Sequence, residues 1–307
     1  MFGLSSVLPA IVLAVEEQIP LNAEPLTEHG FIRFLTNSII VAFIVTALLV
    51  WAARRATDKM ELVPRRTGQN IFEAVVEALY NMLEGIVGRH MVGRAFPLLA
   101  TFFIFILCSN LFGLVPGVGT IGWGRPSGPL SIDEMHAPLL RPANADLNMT
   151  LSMALLFMVF WLTWSLQEMG VGGFLSHMFG PKGGVQGALK YALMPIFFFV
   201  GIIEVVSIIF RPVSLSLRLF GNIYAGDNLL HTMTHLGDAL PAFLRIPMSI
   251  LVPVPFYFLE LLVAFVQALV FTLLCAVYIQ LSTTHDDSHH AAADEAHDDA
   301  HQPARAH

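Results

Sequence analysis

Charge is what this chain has least of. Asp, Glu, Lys and Arg together make up 13% of its 307 residues and hydrophobic residues 55%. Soluble domains carry about 25% charged residues, so a soluble globular fold is excluded and a membrane protein is indicated. Cysteine is nearly absent: Cys108 and Cys275 both lie inside apolar runs and read as buried, reduced thiols. Neither has metal-ligand spacing, no HExxH motif exists for a helical zinc site, and nothing calls for a cofactor. A basic patch interleaved with aromatics is missing, which removes nucleic acid as a partner. No internal repeat is visible, whereas secondary transporters are built from paired halves with broken helices. The N-terminal MFGLSSVLPAIVLAVEEQ has no Lys or Arg ahead of its short apolar core. It lacks the positive region of a signal peptide and is expected to lie on or near the membrane surface.

What charge there is sits unevenly. From Thr283 onward six acids and one arginine account for −5 of the net −7, and six of the twelve histidines fall in the same tail. This His/Asp tract reads as a disordered, solvated tail rather than a metal site. Residues 34–53 carry no charge between Arg33 and Arg54, about 30 Å as helix, which matches the hydrocarbon thickness. Two further uncharged runs follow at 95–124 and 147–167, the latter bounded by Asp146 and Glu168. The regions 191–235 and 242–283 are too long for one perpendicular crossing, so each is either two spans or one strongly tilted helix.

Basic residues discriminate between these choices. Arg54, Arg55, Lys59, Arg65, Arg66, Arg89 and Arg94 cluster between the first two spans, and Lys182 and Lys190 follow the third. With Arg305 that side holds ten, against Arg33, Arg125, Arg141 and Arg245 on the other. The positive-inside rule then sets the N-terminus outside and the C-terminus inside, provided each long region crosses once. Between the first two spans, Phe72, Val75, Val76, Leu79, Leu83, Ile86 and Val87 recur at helical spacing, opposite Glu73, Glu77 and Glu84. That is an amphipathic helix, interfacial or packed on its neighbours. The Gly- and Pro-rich stretch 119–146 reads as an external connector.

Within RPVSLSLRLFGNIYAGD (211–227), Arg218 stands in the middle of an apolar stretch. Arginine at a helix centre in a bilayer costs roughly 2.5–3.5 kcal/mol on insertion scales, and guanidinium does not escape by deprotonating. Glu204, Arg211, Arg218 and Asn222 fall on one helical face, each step of seven turning by only about 20°. Arg211, directly before Pro212, also reads as a helix-end residue snorkelling to the interface. In the last region Glu260 and Gln267 share a face. Antiparallel packing of the two long regions has one register that sets Gln267 beside Arg218 and Glu260 beside Asp227. Asp227 lies about 13 Å beyond Arg218 and half a turn round, which demands a local bend, at Gly221 or Gly226, if both are to meet the same partner face. Two neighbouring carboxyls resist carrying two charges and so suit proton uptake.

At these residues the chain resembles subunit a of F-type ATP synthases, through RPVSLSLRLFGN, YAGD and FVQALVFTLLCAVYIQL, with FPLLATFFIFILCSNLFGLVPG agreeing earlier. The resemblance implies an all-α polytopic membrane protein of about five membrane helices, the last two a long, strongly tilted hairpin, plus the interfacial amphipathic helix. It implies an N-terminal external segment (1–30), a membrane domain (31–282) and the tail (283–307). It also implies a non-catalytic subunit of the bacterial inner membrane, partnered by a rotating c-ring, peripheral-stalk b subunits and lipid. Arg218 matches the family's essential arginine, set against the ring carboxylates between two offset aqueous half-channels. Asn222 and Gln267 match polar neighbours, Asp227 and Glu260 the external acids, and Glu204 an acid toward the cytoplasmic exit. Some bacterial relatives carry glutamate and histidine at the two external positions, so Na⁺ coupling stays open as an alternative, alongside a secondary transporter.

Overall fold

The computed structural model describes residues 36–58, 67–115, 118, 122–126, 132–138, 141–179, 188–235, 247–248 and 251–283. The N-terminal segment and the His/Asp tail lie outside the described residues. Six helices form: α1 (Asn37–Thr57), α2 (Thr67–Val87), α3 (Arg89–Gly113), α4 (Leu147–Phe179), α5 (Ala188–His235) and α6 (Pro253–Thr283). All but α2 are long and apolar enough to cross a membrane.

The first long region is a single helix where described, whereas in the second a short helical stretch including Pro247, Met248 and Leu251 precedes α6. The 48 residues of α5 continue through Pro195 and Pro212, which neighbouring helices make tolerable at membrane depth. Its apolar part, Met194–Met233, would extend about 60 Å, twice the hydrocarbon thickness, so it must run obliquely or project beyond. α6 packs against α5 and α3. The core centres on Leu83, Leu99, Ile106, Phe157, Leu219, Phe271 and Cys275. Edge-to-face rings of Phe102 and Phe271, 5.7 Å apart, hold α3 to α6. Lipid supplies no net hydrophobic drive between helices, so close packing and buried polar contacts carry the bundle. Cys108 and Cys275 are free thiols.

α2 buries Leu79, Leu83 and Val87 against this core and leaves Glu77 exposed, as expected, but Val75, expected on the apolar face, is exposed as well. Gly88, at φ 83°, makes the sharp turn into α3.

Two expectations are corrected. The connector has structure: strands β1 (Gly122–Pro126) and β2 (Ile132–Pro138) pair antiparallel, and a 3-10 turn at Ala143–Ala145 is buried in the bundle. Its anchor is the Asn144 amide, which donates to the Asn110 side-chain oxygen at 2.6 Å, a partner no local pattern reveals. The helix of the third span also passes Glu168, by about one residue. That carboxylate accepts from Arg94 at 2.9 Å and lies 3.5 Å from His90, and beyond a break at Gly170 a second helical segment of α4 reaches Phe179. At Gly170, φ 68° and ψ 163° break its course, a conformation essentially confined to glycine. The following segment folds against α5 at Gly201, where a Cβ would strike the Phe179 ring and sit 2.8 Å from the Met178 carbonyl oxygen.

Gly201→Leu is therefore expected to destabilise the chain by about 1–3 kcal/mol through overpacking, read as a several-fold drop in membrane-inserted protein on quantitative immunoblots. An unchanged level would contradict this packing.

Candidate functional site

Arg218 projects from the exposed face of α5, while Leu215 and Leu219, about 60–100° round the helix from it, are buried. None of the ion pairs among the described residues includes it. Asn222, one turn on and also exposed, donates from its amide to the Gln267 side-chain oxygen at 2.6 Å. Gln267 is only 4% exposed, and its own amide nitrogen finds no acceptor among the described residues. The register is thus close to the one expected, but it is Asn222 rather than Arg218 that meets Gln267. The amide at 222 reaches across the helix pair, whereas the arginine points outward from it.

One to two turns further, Glu260 of α6 is 6% exposed. Its carboxylate lies against the α5 backbone at Gly226, where any Cβ would collide with it. The missing side chain is what lets a carboxylate approach that closely. Asp227, the next residue, is half-buried, and the two acids fall within electrostatic range of each other. The expected bend between Arg218 and Asp227 is not needed. α5 runs straight through Gly221 and Gly226 as helix, and Glu260 comes to Asp227 from the side instead.

Beside this acidic pair lies a cluster of buried polar side chains that sequence reasoning missed. The Asn110 amide donates to the Ala264 carbonyl at 3.3 Å, one turn along α6 from Glu260, and Asn144 donates to Asn110. Arg141, counted as an external loop charge, is 2% exposed and its guanidinium acts electrostatically on Asp227. One signal was available: Asn110 is an amide inside an uncharged run, and polar side chains at membrane depth face a bundle interior or cavity. The burial of Arg141 had none.

At the other end of α5, Glu204 and Arg211 line a cavity of about 210 Å³ together with Trp161 and Ser165 of α4 and Ser282 of α6. The single face expected for Glu204, Arg211, Arg218 and Asn222 is therefore split. The small drift per seven residues, together with the cover given by α4 beyond Gly170, turns the first two into the bundle and leaves the last two outside. Arg211 neither ends the helix nor snorkels. It sits inside α5 with its guanidinium carbon 4.7 Å from the Tyr278 ring centroid and 5.3 Å from that of Trp161.

Along α5, Arg218 stands about 21 Å from Glu204 and about 13 Å from Asp227. A polar cavity on one side and a cluster of buried acids and amides on the other thus flank one outward-facing permanent cation. Among the described residues no three His, Cys, Asp or Glu side chains converge as a metal site.

Comparison with known proteins agrees over nearly the whole membrane part. The family model described as "ATP synthase A chain" matches residues 35–280. ATP synthase subunit a of Protochlamydia amoebophila is 33% identical over 251 residues, covering 80% of this chain and 80% of that one. The Myxococcus xanthus subunit is 32% identical over 284 residues (89% and 80%). That of Moorella thermoacetica is 31% identical over 244 (79% and 88%).

The Gly226–Glu260 contact has a measurable signature. Gly226→Ala should destabilise the chain when Glu260 is present and be near neutral in a Glu260→Ala background. A double-mutant cycle on thermal unfolding in detergent should give a coupling of about 1–2 kcal/mol; additive effects would contradict the contact.

Proposed function

Because this chain belongs to the ATP synthase A chain family, we propose that it is the non-catalytic, proton-carrying stator of that synthase's membrane sector, with Arg218 as its central charge. The observation that carries this reading is the outward exposure of Arg218 on α5, with buried acids and amides displaced along the helix to one side and the Glu204 cavity to the other. A chain that carries a permanent cation on its outer surface at membrane depth requires an anion on something else. The partner that fits is a carboxylate on a rotating ring of c subunits.

The steps follow from charge. A proton enters by way of Glu260 and Asp227, which lie beside the polar cluster of Asn110 and Asn144 and resist carrying two negative charges. It passes to an ionised ring carboxylate, which becomes neutral and can turn into lipid. A protonated carboxyl returning from the other side meets Arg218, whose charge favours the ionised form and drives the proton off toward Glu204. A proton cannot shortcut between the two sides, because the guanidinium keeps its charge and repels a second cation. Passage is therefore tied to ring rotation, and ring rotation to ATP synthesis. Asn222 and Gln267 hold the α5–α6 pair together beside Arg218.

By the distribution of Lys and Arg, Glu260 lies toward the outside and Glu204 toward the cytoplasm of a bacterial inner membrane. The exposed apolar side chains of α1, among them Phe43, Leu48 and Trp51, suit lipid or the peripheral-stalk b subunits. Family membership removes the secondary-transporter alternative.

Arg218→Ala is expected to leave the complex assembled while ATP-driven proton pumping in inverted vesicles falls below about 1% of wild type. Pumping near the wild-type rate would sink the proposal. A Leu217→Cys chain should in turn form a disulfide with a cysteine set beside the ring carboxylate, and its failure to do so under oxidation would argue against that face meeting the ring.

A further inference from the structure

The cavity around Glu204 holds a device that the proton route does not by itself explain. Arg211 is gripped by two aromatic rings, both within the roughly 6 Å at which a ring face attracts a cation. The rings come from different helices and are tied together: the Trp161 indole N–H donates to the Tyr278 carbonyl oxygen at 2.9 Å. Glu204, two turns back along α5, acts on Arg211 electrostatically across the same cavity. On the α4 side Ser165 is fully buried, and its hydroxyl meets no hydrogen-bond partner among the described residues. A buried hydroxyl on a cavity of this size, faced by two charged groups, is a seat for water.

We propose that Trp161 and Tyr278 are positioning residues for proton release: by clamping Arg211 they hold its charge across a hydrated chamber from Glu204 and keep the two from closing into a contact ion pair. The inference rests on the proton-route reading above. Released from the rings, a flexible arginine side chain has the reach to fold back onto a carboxylate two turns away. Direct contact with a guanidinium favours the ionised carboxylate strongly, which would lock Glu204 as an ion-pair partner instead of a group that exchanges protons with water. Among the described residues lining the cavity with Glu204, the other charged group is Arg211 on its own helix, with Tyr278 of α6 beside the guanidinium. The α4 wall contributes Trp161, Ser165, Phe174 and Met178, none of which ionises.

The test is epistasis in the intact synthase, in inverted membrane vesicles, with ATP-driven proton pumping normalised to the amount of chain in the membrane. Tyr278→Leu should lower pumping about 3- to 10-fold, the effect of losing one ring of the clamp, whereas Tyr278→Phe, which keeps the ring, should pump as wild type. The decisive variant is Tyr278→Leu with Arg211→Gln. With no guanidinium left to close on Glu204, pumping should recover to within about twofold of wild type. Trp161→Leu, alone and with Arg211→Gln, repeats the test from the other ring should the Tyr278 variant fail to assemble. Wild-type pumping in both leucine variants overturns the proposal. So does a loss that Arg211→Gln fails to rescue, because that would make the rings merely structural. Failure of the proton-route reading is distinguishable: it would show as pumping that persists in Arg218→Ala, whatever the clamp variants do.

Discussion

A guanidinium that cannot lose its charge, set on the outside of a helix at membrane depth, organises this molecule. Burying Arg218 within the chain would have required an internal carboxylate, and the bundle would then have been a closed, inert ion pair. Instead Asn222, one turn from it, bonds to Gln267, and the acids of α5 stay about two and a half to four turns away. On the proposed reading, solvation of the cation is deferred to another subunit. The same feature that is costly in isolation makes the complex selective for a partner that brings a negative charge to that depth.

Where the chain needs backbones or charges to approach closely, it uses glycine, and each case has a distinct geometric reason. Gly226 admits a carboxylate to the helix surface, Gly201 admits a returning chain segment, and Gly170 redirects α4 so that there is a segment to return. These three positions separate the outer polar cluster from the inner cavity. One is made by removing a side chain from α5, the other by laying a piece of α4 across it. Pro212, between the two, leaves α5 continuous, so both keep a fixed spacing along one rigid element.

Much of this was legible from the residues, because membrane folding has few degrees of freedom. Uncharged runs of bilayer length located α1 and α3, and the basic-residue count favoured single long helices over broken pairs, as α5 and α6 turned out to be. Arg218, Glu260, Asp227 and Gln267 were recognisable because ionisable or amide groups in apolar sequence are expensive. What escaped was what depends on partners distant in sequence. Glu168 read as the end of a span because its partners Arg94 and His90 lie on another helix. Arg141 read as a loop charge because nothing local announces that Asn144 will plug the connector into the bundle. Arg211 offered two readings, and the true one needed rings from α4 and α6.

The side-chain bridge that anchors the connector also bears on how the protein is made. Asn144 joins Asn110, and Asn110 in turn joins the Ala264 carbonyl, so the outer polar cluster draws on α3, the connector and α6. Glu260 belongs to the last of the described helices to leave the ribosome. Until α6 has entered the bilayer beside α5, Asn110 lacks its carbonyl partner and Asp227 its neighbouring carboxyl. The polar cluster is therefore completed only by the packing of α6.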